Sequence, residues 1–583
     1  VNRNGENRKR LISVTEGNLR NHHLYITGHH DFFPKECYGQ SSAKKGTGRR
    51  LTLVVDGLPD PVETDIARNG GNEHARNFFR KRSWLGQFFE RHRLREGDVV
   101  AIERLDSFTY RVYPFRNGAP KRTGNGFEGQ EKEATLFQAG AGPGVELGAP
   151  SGFGDTAFTR NRQEPLHRWV PWIAGFSAGF VQEVFDAARL GDPADVTILD
   201  PFAGVGTTLV EGLKRGFNVV GFEINPYAAL ACEVKVSCVR QKLRPLGEAL
   251  GGFDDFAGRV SRGSVEPKSG PPDGFRSRIP FFSPTIERHV LLLQDFIADQ
   301  KDPFVEKTLK LTLGAVMVAF SNYSYEPSLG TRSAAGKSLI ENADVFRVFR
   351  DKLCEIEADI SLFQQQLKRF QPKPKATLYQ RSYLQGATVL PPATVDVLVT
   401  SPPYLNNYHY VRNTRPQLHW LGLIDNNGGL KKLEQDNFGQ FWQTVRGGPI
   451  VGLAFSFPEL ERILVAIRER NRDKGVYGGG GWANYAATYF NDCARFFEVT
   501  RQLMKPGGLV VVVIGNNIVQ GVHIETDRFL AQIAERHGFK LEGMHQVRRK
   551  RTGSSIVNSS VRAGVTKAPT ELYETAVELR LPK

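Results

Sequence analysis

Two short, largely apolar runs, 196–199 and 395–399, break off at polar residues, Asp200 and Thr400. Runs without strict apolar–polar alternation read as strands covered on both faces, as in parallel sheets. Residues 218–222 and 509–514 repeat the pattern. Between them the apolar spacing becomes helical, over 176–188, 207–214, 285–320, 340–369 and 484–504. Lys505-Pro506-Gly507-Gly508 closes the last of these. Residues 240–275 read as loop. Strands alternating with helices predict an α/β fold with a doubly wound parallel sheet. In such a sheet ligands bind beyond the carboxyl ends of the strands. Asp200 and Thr400 should therefore stand on one rim.

The N-terminal part differs. Residues 1–20 are polar and read as mobile. Residues 21–115 carry short β-like runs at 51–55, 98–103 and 110–113 and predict a small, mostly-β domain. Residues 116–160 are rich in Gly, Pro, Ala and charge and read as a linker. The α/β domain then spans 161–583, with a mainly helical insertion at 240–380.

The chain has 583 residues, so several domains are expected. Its net charge of +15 and pI near 9.5 favour a polyanionic partner, above all nucleic acid. The five cysteines show no metal-ligand spacing and read as free thiols of a reducing compartment. No stretch is apolar enough to span a bilayer and no apolar leader opens the chain. A cytoplasmic protein is expected.

After Asp200 come Pro201, Phe202, Ala203, Gly204, Val205, Gly206 and Thr207. Two glycines let the backbone approach a ligand, and the helix that follows offers free N–H groups. No third glycine stands at dinucleotide spacing, so NAD is disfavoured. Glu223, followed by Ile224, ends the next strand, where a carboxylate can accept hydrogen bonds from two ribose hydroxyls. The pattern reads as a nucleoside site without phosphates.

Thr400 leads into Ser401, Pro402, Pro403 and Tyr404. Such a loop suits an exocyclic amine, whose lone pair is delocalised into its ring. The Ser401 hydroxyl and the Pro402 carbonyl can accept the two N–H hydrogens and turn the lone pair outward. The prolines fix φ and stiffen the loop. Tyr404 offers a face for base stacking.

The run Asp-Pro-Phe-Ala-Gly-Val-Gly-Thr-Thr resembles the S-adenosyl-L-methionine loop of amino-methylating DNA methyltransferases. The run from Val399 to Tyr404 resembles the catalytic signature of their N4-cytosine members. N6-adenine members more often carry Asp or Asn at the place of Ser401, though some carry Ser. The resemblance covers roughly 160–583. It implies a Rossmann-like S-adenosyl-L-methionine-dependent methyltransferase domain, with Asp200, Ala203, Gly204 and Gly206 along the methionine part and Glu223 on the ribose. It further implies that Gly175-Phe176-Ser177 closes over the methionine carboxylate, adding Phe176 and Ser177 to the cofactor set. Members often place an acidic residue against the cofactor adenine; its position here corresponds to Gly386. The cofactor loop precedes the catalytic loop, unlike the commonest N4 order.

The pattern from Arg95-Glu96-Gly97-Asp98 through Tyr110-Arg111-Val112 resembles the plant B-three-type DNA-binding pseudobarrel, which implies a DNA-reading domain over 21–115. Candidate DNA contacts are Arg80 and Arg82 there, Arg412 and Arg415 among the aromatics that follow the catalytic loop, with Tyr408, and Arg548 and Arg549 in a basic run near the C-terminus. The expected function is site-specific transfer of a methyl group to cytosine N4 in double-stranded DNA. The alternatives are adenine N6, an RNA base, or DNA binding without catalysis. The resemblance implies a bacterial-type, nucleoid-associated, restriction–modification setting, in which a cognate restriction endonuclease would be a partner.

Overall fold

The computed structural model describes residues 9–26, 29–40, 46–56, 58, 60–68, 75–92, 94–115, 158–172, 175–263, 265–325, 328–405, 410–424, 428–550 and 572–583. The chain divides into two compact units, within 1–140 and 141–583. Among the described residues no helix is long and apolar enough to cross a membrane.

The first unit holds a five-stranded sheet, in the order Lys9–Ser13, Val99–Arg104, Thr109–Phe115, Leu51–Val55, Val62–Thr64. A three-stranded sheet joins Tyr38–Gly39, Ile66–Arg68 and Ala75–Phe79. Helix Ser83–Arg91 buries Trp84, Leu85, Phe88 and Phe89, a stripe at helical spacing, in a core with Leu51, Leu53 and Val112. Residues 9–21 are ordered, contrary to the expectation for 1–20. Lys9–Ser13 pairs antiparallel with Val99–Glu103, and Thr15 caps helix Glu16–Asn21 by accepting the Asn18 N–H at 3.2 Å. A five-residue strand whose partner lies far along the chain leaves little local trace.

The second unit is built on seven strands: β1 (Thr197–Asp200), β2 (Asn218–Phe222), β3 (Ala376–Tyr379), β4 (Val395–Thr400), β5 (Met504–Gly515), β6 (Lys540–Lys550) and β7 (Leu572–Arg580). Their order is β3-β2-β1-β4-β5-β7-β6. Strands β1 to β5 are parallel, and β7 runs antiparallel between β5 and β6. Strands β1 and β4 pair directly, Ile198 opposite Val397 and Leu199 opposite Leu398. Both polar segments therefore leave the sheet at one rim.

The pleat sorts each strand's side chains onto two cores. Val397, Val399, Leu509, Val511 and Val513 face helices α1 (Ala178–Ala187), α2 (Thr207–Lys214) and α3 (Pro226–Ser237). Leu398, Val510, Val512 and Ile514 face Pro458–Arg468, Gly479–Leu503 and Thr526–Arg536. At the far end of the sheet Asp396 accepts from Thr197 N at 2.9 Å and from Lys505 Nζ at 2.8 Å, tying β1, β4 and β5 together.

The 240–275 segment departs from its loop-like pattern: 244–261 is a helix, Arg244–Ser261. Four glycines weaken it locally. Tertiary packing overrides them, with Leu246, Phe253, Phe256 and Val260 buried and Phe253 5.1 Å from Phe349 of helix Val345–Leu367. Helix Gly479–Leu503 begins inside the tetraglycine. A Cβ on Gly479 or Gly481 would run into the carbonyls of Ile467 and Val476, so only glycine permits that packing.

Candidate active site

Strand β1 delivers Asp200 to the rim, fully buried. Its Oδ1 accepts the Phe202 N–H at 3.0 Å and the Thr400 hydroxyl at 2.6 Å. The two segments are thus joined by a hydrogen bond one residue before Ser401. Burial pushes the Asp200 carboxyl up to about 6, against those bonds. The chain then turns through Gly204 and Gly206, at φ +51° and +86°. A Cβ on Gly206 would stand 2.9 Å from Cys232 Sγ, so sterics and conformation both demand glycine. Lys235, buried on α3, donates to the Val205 carbonyl at 2.9 Å and supports the turn from beneath; burial pulls its ammonium down to about 7.

Glu223 follows β2. Its Oε2 accepts the Gly204 N–H at 2.8 Å and its Oε1 the Asn225 N–H at 2.7 Å. Burial pushes this carboxyl up to about 7, although those N–H groups favour the ionised form. Asn225 in turn donates to Thr414 at 2.9 Å, linking the end of β2 to helix Tyr410–Trp420.

One cavity, of about 940 Å³ with its mouth, takes in both segments. Asp200, Pro201, Phe202, Ala203, Gly204, Thr207, Glu223, Ile224 and Phe176 line it, and so do Ser401 and Pro403. Several expected residues stand behind the wall instead. Ser177 caps α1, accepting the Phe180 N–H at 3.3 Å, and Gly206 is the left-handed residue before α2. Pro402 is buried. Tyr404 receives the Ser401 hydroxyl at 3.4 Å and packs on the end of β5, where a Cβ at Gly515 would lie 3.3 Å from its ring. Burial holds its phenol well above the usual range. Of the aromatics that follow the catalytic loop, Tyr410 reaches the wall, while Tyr408 lies outside the described residues.

Gly386 does not line the cavity. It is buried in the 3₁₀ turn Tyr383–Thr388, and the residues that reach the cavity after β3 are Arg381, Ser382 and Tyr383. Sequence reasoning passed over these, and over Trp172, Asn437 and Phe438. The position just beyond a parallel strand would have marked Ser382. Phe438 stands 5.1 Å from Phe202, edge to face, and no local pattern marks it.

The expected DNA-contacting arginines are scattered. Arg412 and Arg415 line a cleft beside the cavity. Arg548 stands at the end of β6, 4.0 Å from Glu574. The Arg549 side chain lies outside the described residues. In the first unit Arg82 is exposed, 5.3 Å from the Phe78 ring. Arg80 is engaged internally: its guanidinium grips Asp65 at 2.5 and 3.0 Å and the Gln40 carbonyl at 2.8 Å, which leaves it a structural clamp rather than an open phosphate contact.

The cavity wall at Trp172 depends on a buried carboxylate. Asp359 accepts from Leu166 N at 3.0 Å, Trp169 Nε1 at 2.9 Å and Arg168 Nη2 at 2.6 Å. His167 adds a contact to Glu211 of α2 at 2.6 Å. A Cβ at Gly204 would meet Trp172 Nε1 at 3.4 Å, so this segment fixes the wall against the glycine turn. Asp359→Ala strands a buried indole N–H and a backbone N–H, and is expected to cost roughly 2–4 kcal/mol. Urea unfolding of the variant beside the wild type measures it; an unchanged midpoint would remove Asp359 as the anchor.

No protein-family model matches the chain. It is 25% identical over 442 residues to the Type II methyltransferase M.BsoBI of Geobacillus stearothermophilus, covering 68% of this chain and 83% of that one. It is 23% identical over 393 residues to the Type II methyltransferase M.MvaI of Kocuria varians, covering 65% and 82%. A shorter stretch of 84 residues is 32% identical to the Type II methyltransferase M.MjaII of Methanocaldococcus jannaschii, covering 14% of this chain and 16% of that one.

Proposed function

We propose that this chain, a homologue of Type II DNA methyltransferases, moves a methyl group from S-adenosyl-L-methionine to N4 of a cytosine extruded from double-stranded DNA. The carrying observation is that Ser401 and the glycine turn line one cavity, at the ends of adjacent parallel strands. The strand order, with β7 antiparallel between β5 and β6, supports a Rossmann-like methyltransferase domain. The cavity's lining joins apolar and aromatic side chains with a few polar groups, as ligand sites do. Gly204, which has no side chain, brings the turn's backbone to the wall where the methionine part would lie, and Glu223 beside it would meet the ribose hydroxyls.

The cofactor supplies a methyl on a cationic sulfonium, so transfer is a direct displacement that needs no enzyme nucleophile. The chain's share is placement. With its own proton directed at Tyr404, the Ser401 oxygen keeps lone pairs for one amine hydrogen, and the Pro402 carbonyl takes the other. The lone pair of N4 is then aimed at the methyl. Holding the reacting atoms about 3–3.5 Å apart supplies much of the rate. Extruding the base costs a few kcal/mol, which stacking on an aromatic face offsets; Tyr410, on the wall, is the candidate. Methylation leaves the nitrogen cationic and its proton acidic, so that proton passes to solvent water and no strong base is required.

The first unit is the DNA reader in this scheme, and phosphate contacts come from its Arg82 and, in the second unit, from Arg412, Arg415 and Arg548. The setting is restriction–modification, where a cognate restriction endonuclease would cut unmarked DNA. Mass spectrometry of nucleosides from duplex DNA incubated with the protein and cofactor is expected to show N4-methylcytosine. N6-methyladenine without it would move the target to adenine, and labelling of RNA but not duplex DNA would overturn the reading.

A further inference from the structure

Beside the cavity lies an open cleft of which the proposed function uses only Arg412 and Arg415. Two separate segments bring four arginines to it. Arg276 and Arg278 come from the loop before helix Pro284–Ala298, and Arg412 and Arg415 from helix Tyr410–Trp420. Glu434 is the one carboxylate on its wall among the described residues, and burial raises it against the pull of Arg415. The loop is held in place: Phe275 packs edge-on against Phe281 at 5.6 Å, and the Arg278 N–H donates to the Tyr323 hydroxyl at 3.0 Å. Between those anchors Arg276 and Arg278 are exposed.

The cleft and the cavity share their walls. Tyr410 lines the cavity, Val411 lines both, and Arg412 lines the cleft. Leu433 lines the cavity and Glu434 the cleft. Two chain segments thus cross from one space to the other within a residue or two. A group that fills the cavity and stays attached to a polyanion would run straight into the arginines.

We propose that this cleft seats the phosphodiesters of the DNA strand carrying the extruded base, with Arg276 and Arg278 as contacts supplied by the helical insertion. The proposal rests on the DNA-methylating function argued above. Arginine suits the place, since its fork of donors matches phosphate oxygens. Each neutralised phosphate releases counterions, so affinity should fall with salt in proportion to the contacts made.

The test is a double variant, Arg276→Ala/Arg278→Ala, in the full chain. Both side chains are exposed, so folding should survive; thermal midpoint and cofactor affinity check this. Duplex DNA binding is titrated at several salt concentrations without methyl donor. The slope of log affinity against log salt should become shallower by about 2. KM for DNA should rise roughly 10- to 100-fold, with kcat at saturating DNA nearly kept. Arg276→Lys/Arg278→Lys should restore most of the slope. A wild-type slope and KM in the alanine variant would overturn the proposal, and so would weaker binding with an unchanged slope. Binding is read without catalysis, so failure here is distinct from failure of the wild type to methylate DNA.

Discussion

Ser401→Ala should lower methyl transfer roughly 10²- to 10³-fold while leaving cofactor affinity unchanged, the scale of losing one group that acts in the transition state. Ser401 lines the cavity, and its hydroxyl bonds to Tyr404 at 3.4 Å, a residue outside the glycine turn. Alanine fits the same backbone, and the two prolines that follow keep the loop's φ angles. The Pro402 carbonyl remains, so one of the two acceptors survives and the reaction slows rather than stops. Single-turnover transfer of labelled methyl to duplex DNA, with calorimetric titration of the cofactor, separates the two effects. Equal label from variant and wild type would remove Ser401 from the chemistry. A parallel loss of cofactor affinity would make it a structural support instead.

What could be read beforehand follows from how local each signal is. Strands β1, β2 and β4 are legible because central parallel strands are apolar on both faces, and α2 and β2 take the predicted bounds, Thr207–Lys214 and Asn218–Phe222. Asp200 and Ser401 were reachable because each ends such a strand. Trp172 and Phe438 were not, because they come to the cavity from segments whose own patterns say nothing of it. Helix Arg244–Ser261 was hidden by its glycines and is stabilised by phenylalanines from two other helices. Arg80 reads as a surface cation until Asp65 is found beside it. Charge in sequence does not reveal which cations are already paired.

The same distinction governs Glu223, whose two backbone hydrogen bonds no motif discloses. Both carboxylate oxygens already accept an N–H, from Gly204 and Asn225. The residue therefore shapes the turn as well as presenting lone pairs to ribose hydroxyls. Glu223→Ala loses both roles and should weaken cofactor binding roughly 10²-fold or more, at about 1.5–3 kcal/mol per charge-assisted bond. Glu223→Gln keeps the shape, loses the charge and should fall between. The pH dependence is the sharper test. Burial first, with the Asp200 charge adding, lifts this carboxyl from its ordinary 4.5 to about 7 in the unliganded protein. Between those values the folded chain holds a proton that the unfolded chain has released, so this group's contribution to stability falls as pH rises through that window. Ribose hydroxyls donate best to the ionised form, so cofactor binding must expel the proton below pH 7. Affinity should climb from pH 5 to about 7 and then level. In thermal melts the stabilisation gained from cofactor should grow over the same range while the unliganded contribution declines. Glu223→Gln should flatten much of the climb, leaving what Asp200, lifted to about 6, contributes. A cofactor increment that is flat with pH in the wild type, or that grows toward acid, would show that Glu223 does not hold the ribose.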